Sequence, residues 1–92
     1  MTKPAFRVET SVDDQTGRVI AVYLRVRQGD VAETKELEEG VVYADYDSAG
    51  LLLGIELLGP CQVEVLDRAG RSEPEPIKRF LMGAAPRELV GA

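Results

Sequence analysis

Apolar and polar residues alternate through the first two thirds of this chain, and a helical period takes over only beyond Pro60. In residues 6–12, Phe6, Val8 and Val12 share one parity against Arg7, Glu9 and Ser11, which predicts a half-buried strand. In the next run Ile20, Val22, Leu24 and Val26 point one way. Val19, Ala21 and Tyr23 lie opposite, giving way to Arg25 and Arg27. Residues 31–37 are the least hydrophobic strand candidate, with Glu33, Lys35 and Glu36 among the apolar positions. Such a charged strand suits a sheet edge, where charge discourages pairing with other chains. Residues 41–46 form a further strand. Residues 51–58 are apolar on both parities apart from Gly54 and Glu56, as expected of a strand in the middle of a sheet or beneath a helix. Gly54 inside that run predicts a bulge or a close approach by another group.

The punctuation between these runs is specific. Asp14-Gln15-Thr16-Gly17 and Asp47-Ser48-Ala49-Gly50 each place Asp at the start and Gly at the end of a turn. Asp binds its own following amides, and Gly takes positive φ without strain, so each predicts a β-hairpin. Gln28-Gly29-Asp30 and Glu38-Glu39-Gly40 mark two more reversals. Beyond Gly59-Pro60, residues 61–69 fit both periods: Val63 and Val65 alternate, while Val63, Leu66 and Ala69 recur helically. Pro60 before and Gly70 after favour the helix. Ser72-Glu73-Pro74-Glu75 has the spacing of a capping box, and Ile77, Phe80 and Leu81 make an i, i+3, i+4 stripe ended by Gly83 and Pro86. Residues 86–90 add a last turn or fray. The expected fold is α+β: an antiparallel sheet of about five strands, two hairpins and a meander, with C-terminal helices on one face. The 92 residues are expected to form one domain, with a β core over 14–58 and a helical extension over 59–92.

Composition narrows the function more than it names one. The single Cys excludes an internal disulfide, which agrees with a reducing compartment. The opening residues lack the apolar stretch of a signal peptide, and no uninterrupted apolar run approaches the length of a membrane span, so a cytoplasmic protein with no membrane span is expected. Residues 1–67 carry 6 Lys/Arg against 13 Asp/Glu, while residues 68–92 carry 5 against 3. An acidic body disfavours nucleic acid, and a mildly basic tail can dock on it or on a second copy. No P-loop motif is present, and no cofactor is expected.

Asp45, Asp47 and Glu56 are the one acidic constellation of note, able to hold Mg²⁺ or Ca²⁺ only if the hairpin gathers them. Otherwise Asp47 caps its turn while Asp45 and Glu56 are solvated. Glu33, Glu36, Glu38 and Glu39 read as a solvated face. Cys61 lacks a His partner anywhere in the chain and reads as a packed small hydrophobe rather than a nucleophile. Tyr23 and Tyr43 are expected to pack as cross-strand partners or to form a binding patch with Tyr46. Arg25, Arg27 and Lys35 are expected to make weak surface ion pairs.

The middle of the chain resembles the small bacterial proteins grouped as the domain of unknown function 2283 family. The resemblance runs from about Asp14 to Leu58 and rests on Val22-Tyr23-Leu24, Gly29 with Val31, Glu33-Thr34, Asp45-Tyr46-Asp47, Gly50 and Gly54-Ile55-Glu56-Leu57-Leu58. It implies a small antiparallel sheet and no activity. Three functions remain open. The first is a non-enzymatic protein-interaction or regulatory module. The second is a carboxylate- or metal-dependent enzyme built on Asp45, Asp47 and Glu56. The third is a structural homo-oligomer. The Ile77, Phe80, Leu81 stripe must bury against the sheet or a second copy, so a homodimer using residues 75–81 is expected.

Overall fold

The computed structural model describes residues 4–86 and 89–91. Two tight turns set its strand pairing. At the first, the side chain of Asp13, not Asp14, accepts the Gln15 amide at 2.7 Å, and its carbonyl accepts the Gly17 amide at 2.8 Å. The turn therefore starts one residue earlier than its spacing predicts, because Asp13 also closes the hairpin by donating its amide to the Arg18 carbonyl. At the second, Asp47 Oδ1 accepts the Ala49 and Leu51 amides, both at 2.9 Å, as the sequence predicts. Gly17 and Gly50 end these turns at φ +74° and +84°, where a side chain would be strained.

The strands are β1 (Pro4–Val12), β2 (Val19–Arg27), β3 (Glu33–Glu38), β4 (Val42–Tyr46) and β5 (Leu52–Leu57). They form one five-stranded sheet in the order β1-β2-β5-β4-β3, every pairing antiparallel. The doubly apolar run is thus the central strand, and the charged run is an edge. Residues 61–69 contain both expected structures. Cys61–Gln62 form a short strand β6, and α1 (Val63–Gly70) follows directly. Helix α2 (Glu75–Ala84) packs beside α1, and β7 (Val90–Gly91) pairs in parallel with β6 where a final helical turn or fraying was expected. The fold is α+β, a five-stranded antiparallel sheet with two C-terminal helices. Among the described residues no helix is long and apolar enough to cross a membrane.

One face of the sheet carries the core. Val22, Leu24, Val26, Val42, Ala44, Leu52, Ile55 and Leu57 meet Val65 and Leu66 of α1 and Ile77 and Leu81 of α2, all buried. The stripe at Ile77 and Leu81 therefore buries against this chain's own sheet. The sheet is one of the two places expected for that stripe; of its three residues Phe80 stays partly exposed, stacked on Phe6 with ring centroids 4.6 Å apart. The Ser72 box is not formed. Pro74 is the N-cap of α2, its carbonyl accepting the Ile77 and Lys78 amides, while Ser72 lies outside the helix.

Two irregularities shape the sheet. β5 gains one extra residue, Leu53, where the register passes from Asp45↔Gly54 to Tyr46↔Leu52. Leu52 thereby turns to the core, and Leu53 is buried elsewhere, beneath Gly29 of the β2–β3 loop. β2 gains Ile20 between Ser11↔Ala21 and Val12↔Val19, so Ile20 leaves the inward set predicted for it and stands 51% exposed.

Arg27 is the largest departure from expectation. Only 8% exposed, it donates from Nη1 to the Leu52 carbonyl at 2.8 Å and from Nη2 to Glu73 Oε1 at 2.7 Å. The pair ties the inter-helix loop to the sheet beside the bulge. Removing one partner of a buried pair strands the other charge, so Glu73→Ala should cost about 3–5 kcal/mol in urea denaturation. Breaking the exposed Glu75–Arg79 pair with Glu75→Ala should cost under about 1 kcal/mol. Equal losses at the two sites would show that the Arg27 pair is not a buried lock.

Candidate functional site

The face of the sheet away from the helices carries the residues with chemistry, and strand register sets them in two rows. Arg7, Arg25, Gly54, Asp45 and Thr34 lie across β1 to β3 in one row. Glu9, Tyr23, Glu56, Tyr43 and Glu36 lie in the next. Tyr23 and Tyr43 are therefore not direct partners as expected, because β5 runs between their strands and places Glu56 between them. Strand order, invisible in local patterning, separates them.

Gly54 explains how the rows are joined. The Tyr23 ring lies across Gly54, so close that a Cβ there would collide with the ring and its hydroxyl. This lets the Tyr23 hydroxyl reach over β5 and donate to Asp45 Oδ2 at 3.0 Å. Thr34 Oγ1 donates to Asp45 Oδ1 at 2.6 Å from the other side. A hydrogen-bonded chain Tyr23–Asp45–Thr34 thus spans four strands. Burial first, and then the Asp45 hydrogen bond and charge, push the Tyr23 phenol up to about 12. At the β3 edge Glu36 Oε2 accepts the Gly40 amide at 3.0 Å and the Tyr43 hydroxyl at 2.9 Å. These bonds hold the Glu36 carboxyl below its usual range and raise the Tyr43 phenol. Tyr46 turns to the other face, against the core, with Lys35 Nζ 5.0 Å from its ring centre.

The three carboxylates singled out from the sequence are not brought together as a metal centre. Asp47 gives Oδ1 to its own turn amides, both oxygens of Asp45 accept hydroxyls, and Glu56 lies in the other row beside the tyrosines. Among the described residues no group of three or more acidic, Cys or His side chains is placed to hold an ion. Cys61 is a buried core residue. Burial, and next the Glu38 charge, push its thiol up, away from the thiolate a nucleophile needs.

The exposed apolar surface lies instead on the β1–β2 hairpin. Phe6 is 44% exposed and Val8 43%, both on the helix side of the sheet at its β1 edge, with Val12 further along the strand. At the turn end of the hairpin, a cleft of about 700 Å³ opens between Arg18–Ile20 and Leu58–Pro60, with buried Leu89 at its wall. Sequence parity identified Phe6, Val8 and Val12 as core-directed. They stay half exposed at the sheet's β1 edge, where Phe80 of α2 stacks on Phe6.

Residues 21–59 match the model of a family described as protein of unknown function (DUF2283). The matched segment holds most of β2, all of β3 to β5, the Tyr23–Asp45–Thr34 chain and Gly54, while β1 and the helices lie outside it. No curated protein and no solved structure matches the chain.

Two tests address the Tyr23 bridge. Gly54→Ala should cost about 1–3 kcal/mol by overpacking, and adding Tyr23→Ala should recover part of that loss; strict additivity would show that the two do not touch. The raised Tyr23 phenol means that between about pH 10 and 12 the folded chain keeps a proton the unfolded chain releases. The associated stability is whole below about pH 10 and is lost as pH rises toward 12. Thermal melts across that range should fall more steeply for the wild type than for Tyr23→Phe.

Proposed function

We propose that this protein is a non-enzymatic protein-interaction module that works through its β1–β2 hairpin. The observation that carries the reading is the half-exposed apolar row Phe6, Val8 and Val12, continued by Ile20 and the cleft between Ile20 and Leu58. Burying these side chains would be favourable at roughly 25 cal/mol per Å² of apolar surface. Apolar groups that the chain's own helices leave uncovered are the usual mark of a surface that meets another molecule. The polar face supports the reading from the other side. Asp45, Asp47 and Glu36 are engaged in structural hydrogen bonds, which leaves little for acid–base chemistry. The lone buried cysteine fits a working place in a reducing compartment.

The test is affinity capture from the native cell extract, with wild type beside an Ile20→Asp, Leu58→Asp variant. Both positions are exposed, so the variant should fold with a melting temperature close to wild type. A protein of different mass should be retained in stoichiometric amount by the wild type and lost from the variant. Retention undiminished by the variant, or no retained protein, would overturn the hairpin as the interaction surface.

A further inference from the structure

The two edges of the sheet are built differently. Edge strand β3 is Glu-Thr-Lys-Glu-Leu-Glu and carries an extra residue, Leu37, between Glu36 and Glu38. Charge and a bulge are the devices by which edges avoid pairing. Edge strand β1 has no bulge and no net charge in its middle. From Arg7 to Ser11 its register against β2 is unbroken, and among the described residues no strand pairs with its outer side. Its charges there are one Arg and one Glu, a neutral stretch in a chain of net charge −5.

We infer that β1 pairs antiparallel with β1 of a second copy of this chain, about a twofold axis through Val8, joining two sheets into one of ten strands. This rests on the interaction reading above and names one partner for its β1 side. The sequence Arg7-Val8-Glu9 reads as its own complement in that register: Arg7 stands opposite the second copy's Glu9, and Glu9 opposite the second copy's Arg7. Within one chain Arg7 Nε already lies 3.5 Å from Glu9 Oε1, both half or more exposed, so the pairing adds two cross-strand attractions to two existing ones. On the helix side Val8 meets Val8, and Phe6 lies opposite Thr10, covering apolar groups now 43% and 44% exposed. The neighbouring registers of the same alternation, centred on Arg7 or Glu9, set like charges face to face and are disfavoured. An axis perpendicular to the sheet keeps both helix layers on one side, flanking the junction.

Charge exchange tests the register. Arg7→Glu alone puts two carboxylates opposite each other at each symmetric position, and Glu9→Arg alone does the same with two guanidinium groups. Each variant by itself should dimerise at least about tenfold more weakly than wild type in sedimentation across a dilution series. An equimolar mixture of the two variants restores opposite charges at every position and should regain a dimer, now mixed. A structural role for the intrachain pair predicts no such recovery. Amide exchange of the wild type is the second measurement, with protection in residues 6–10 expected to rise with concentration while β3 is unchanged. A wild-type monomer at high micromolar concentration, or variants that dimerise as well as wild type, would overturn the proposal. The capture experiment with the Ile20 and Leu58 substitutions reads the turn end of the hairpin and not the Arg7–Glu9 register, so a monomer that still retains its foreign partner would sink self-pairing alone.

Discussion

Strand β5 has neighbours on both sides and no polar side chain between Leu52 and Ile55, so both of its faces have to be kept from water. On one face the two helices do this, with Leu52, Ile55 and Leu57 against Leu66, Ile77 and Leu81. On the other, the described residues form no second layer. The covering comes from within the sheet, where the bulge hands Leu53 to the Gly29 loop and Gly54 lets the Tyr23 ring lie flat across the strand. A side chain at position 54 would lift the ring and break the reach of its hydroxyl to Asp45. One missing Cβ therefore links the dryness of the central strand to the hydrogen-bonded chain that spans four of the five strands.

The helical layer depends on a different connection. Its apolar side chains give burial energy but little directional constraint, since hydrophobic contact is non-directional. Arg27 supplies direction by holding Glu73 and the Leu52 carbonyl at once, which fixes the inter-helix loop over the bulged end of β5. The α2 stripe then falls on the sheet, and Phe80 reaches the β1 edge to stack on Phe6. What the helices do not reach is the rest of β1 and the turn end of β2. The exposed apolar surface is thus a consequence of where the helical layer stops; β1 and Ile20 lie outside the segment that matches the family, and Leu58 lies inside it.

Much of this architecture was legible in the sequence because it rests on local chemistry. The Asp47 turn, the period-two alternation, the charge on β3 and the doubly apolar run of β5 each act within a few residues, and each is found where expected. The errors share a cause. Asp13 caps its turn in place of Asp14 because a cross-strand hydrogen bond to Arg18 chooses between adjacent candidates. Tyr23 and Tyr43 were expected to touch, and β5 separates them. Ile20 leaves the core because a bulge shifts it, and Arg27 enters it because Glu73, distant in sequence, comes close in space.

The sequence by itself determined the five strands of the main sheet, the two hairpins, the helical extension and the resemblance of the central segment to a known family. These follow from side-chain period and backbone preference, which each residue carries with it. Only the tertiary structure decided the order of the strands, the partners of Asp45, the burial of Arg27 and which apolar residues stay exposed. Those outcomes depend on which distant segments share a face, and no residue carries that information alone. The candidate carboxylates were legible as residue types, but their engagement with Tyr23, Thr34 and the Asp47 turn is a matter of register, which a shift of one residue would have undone.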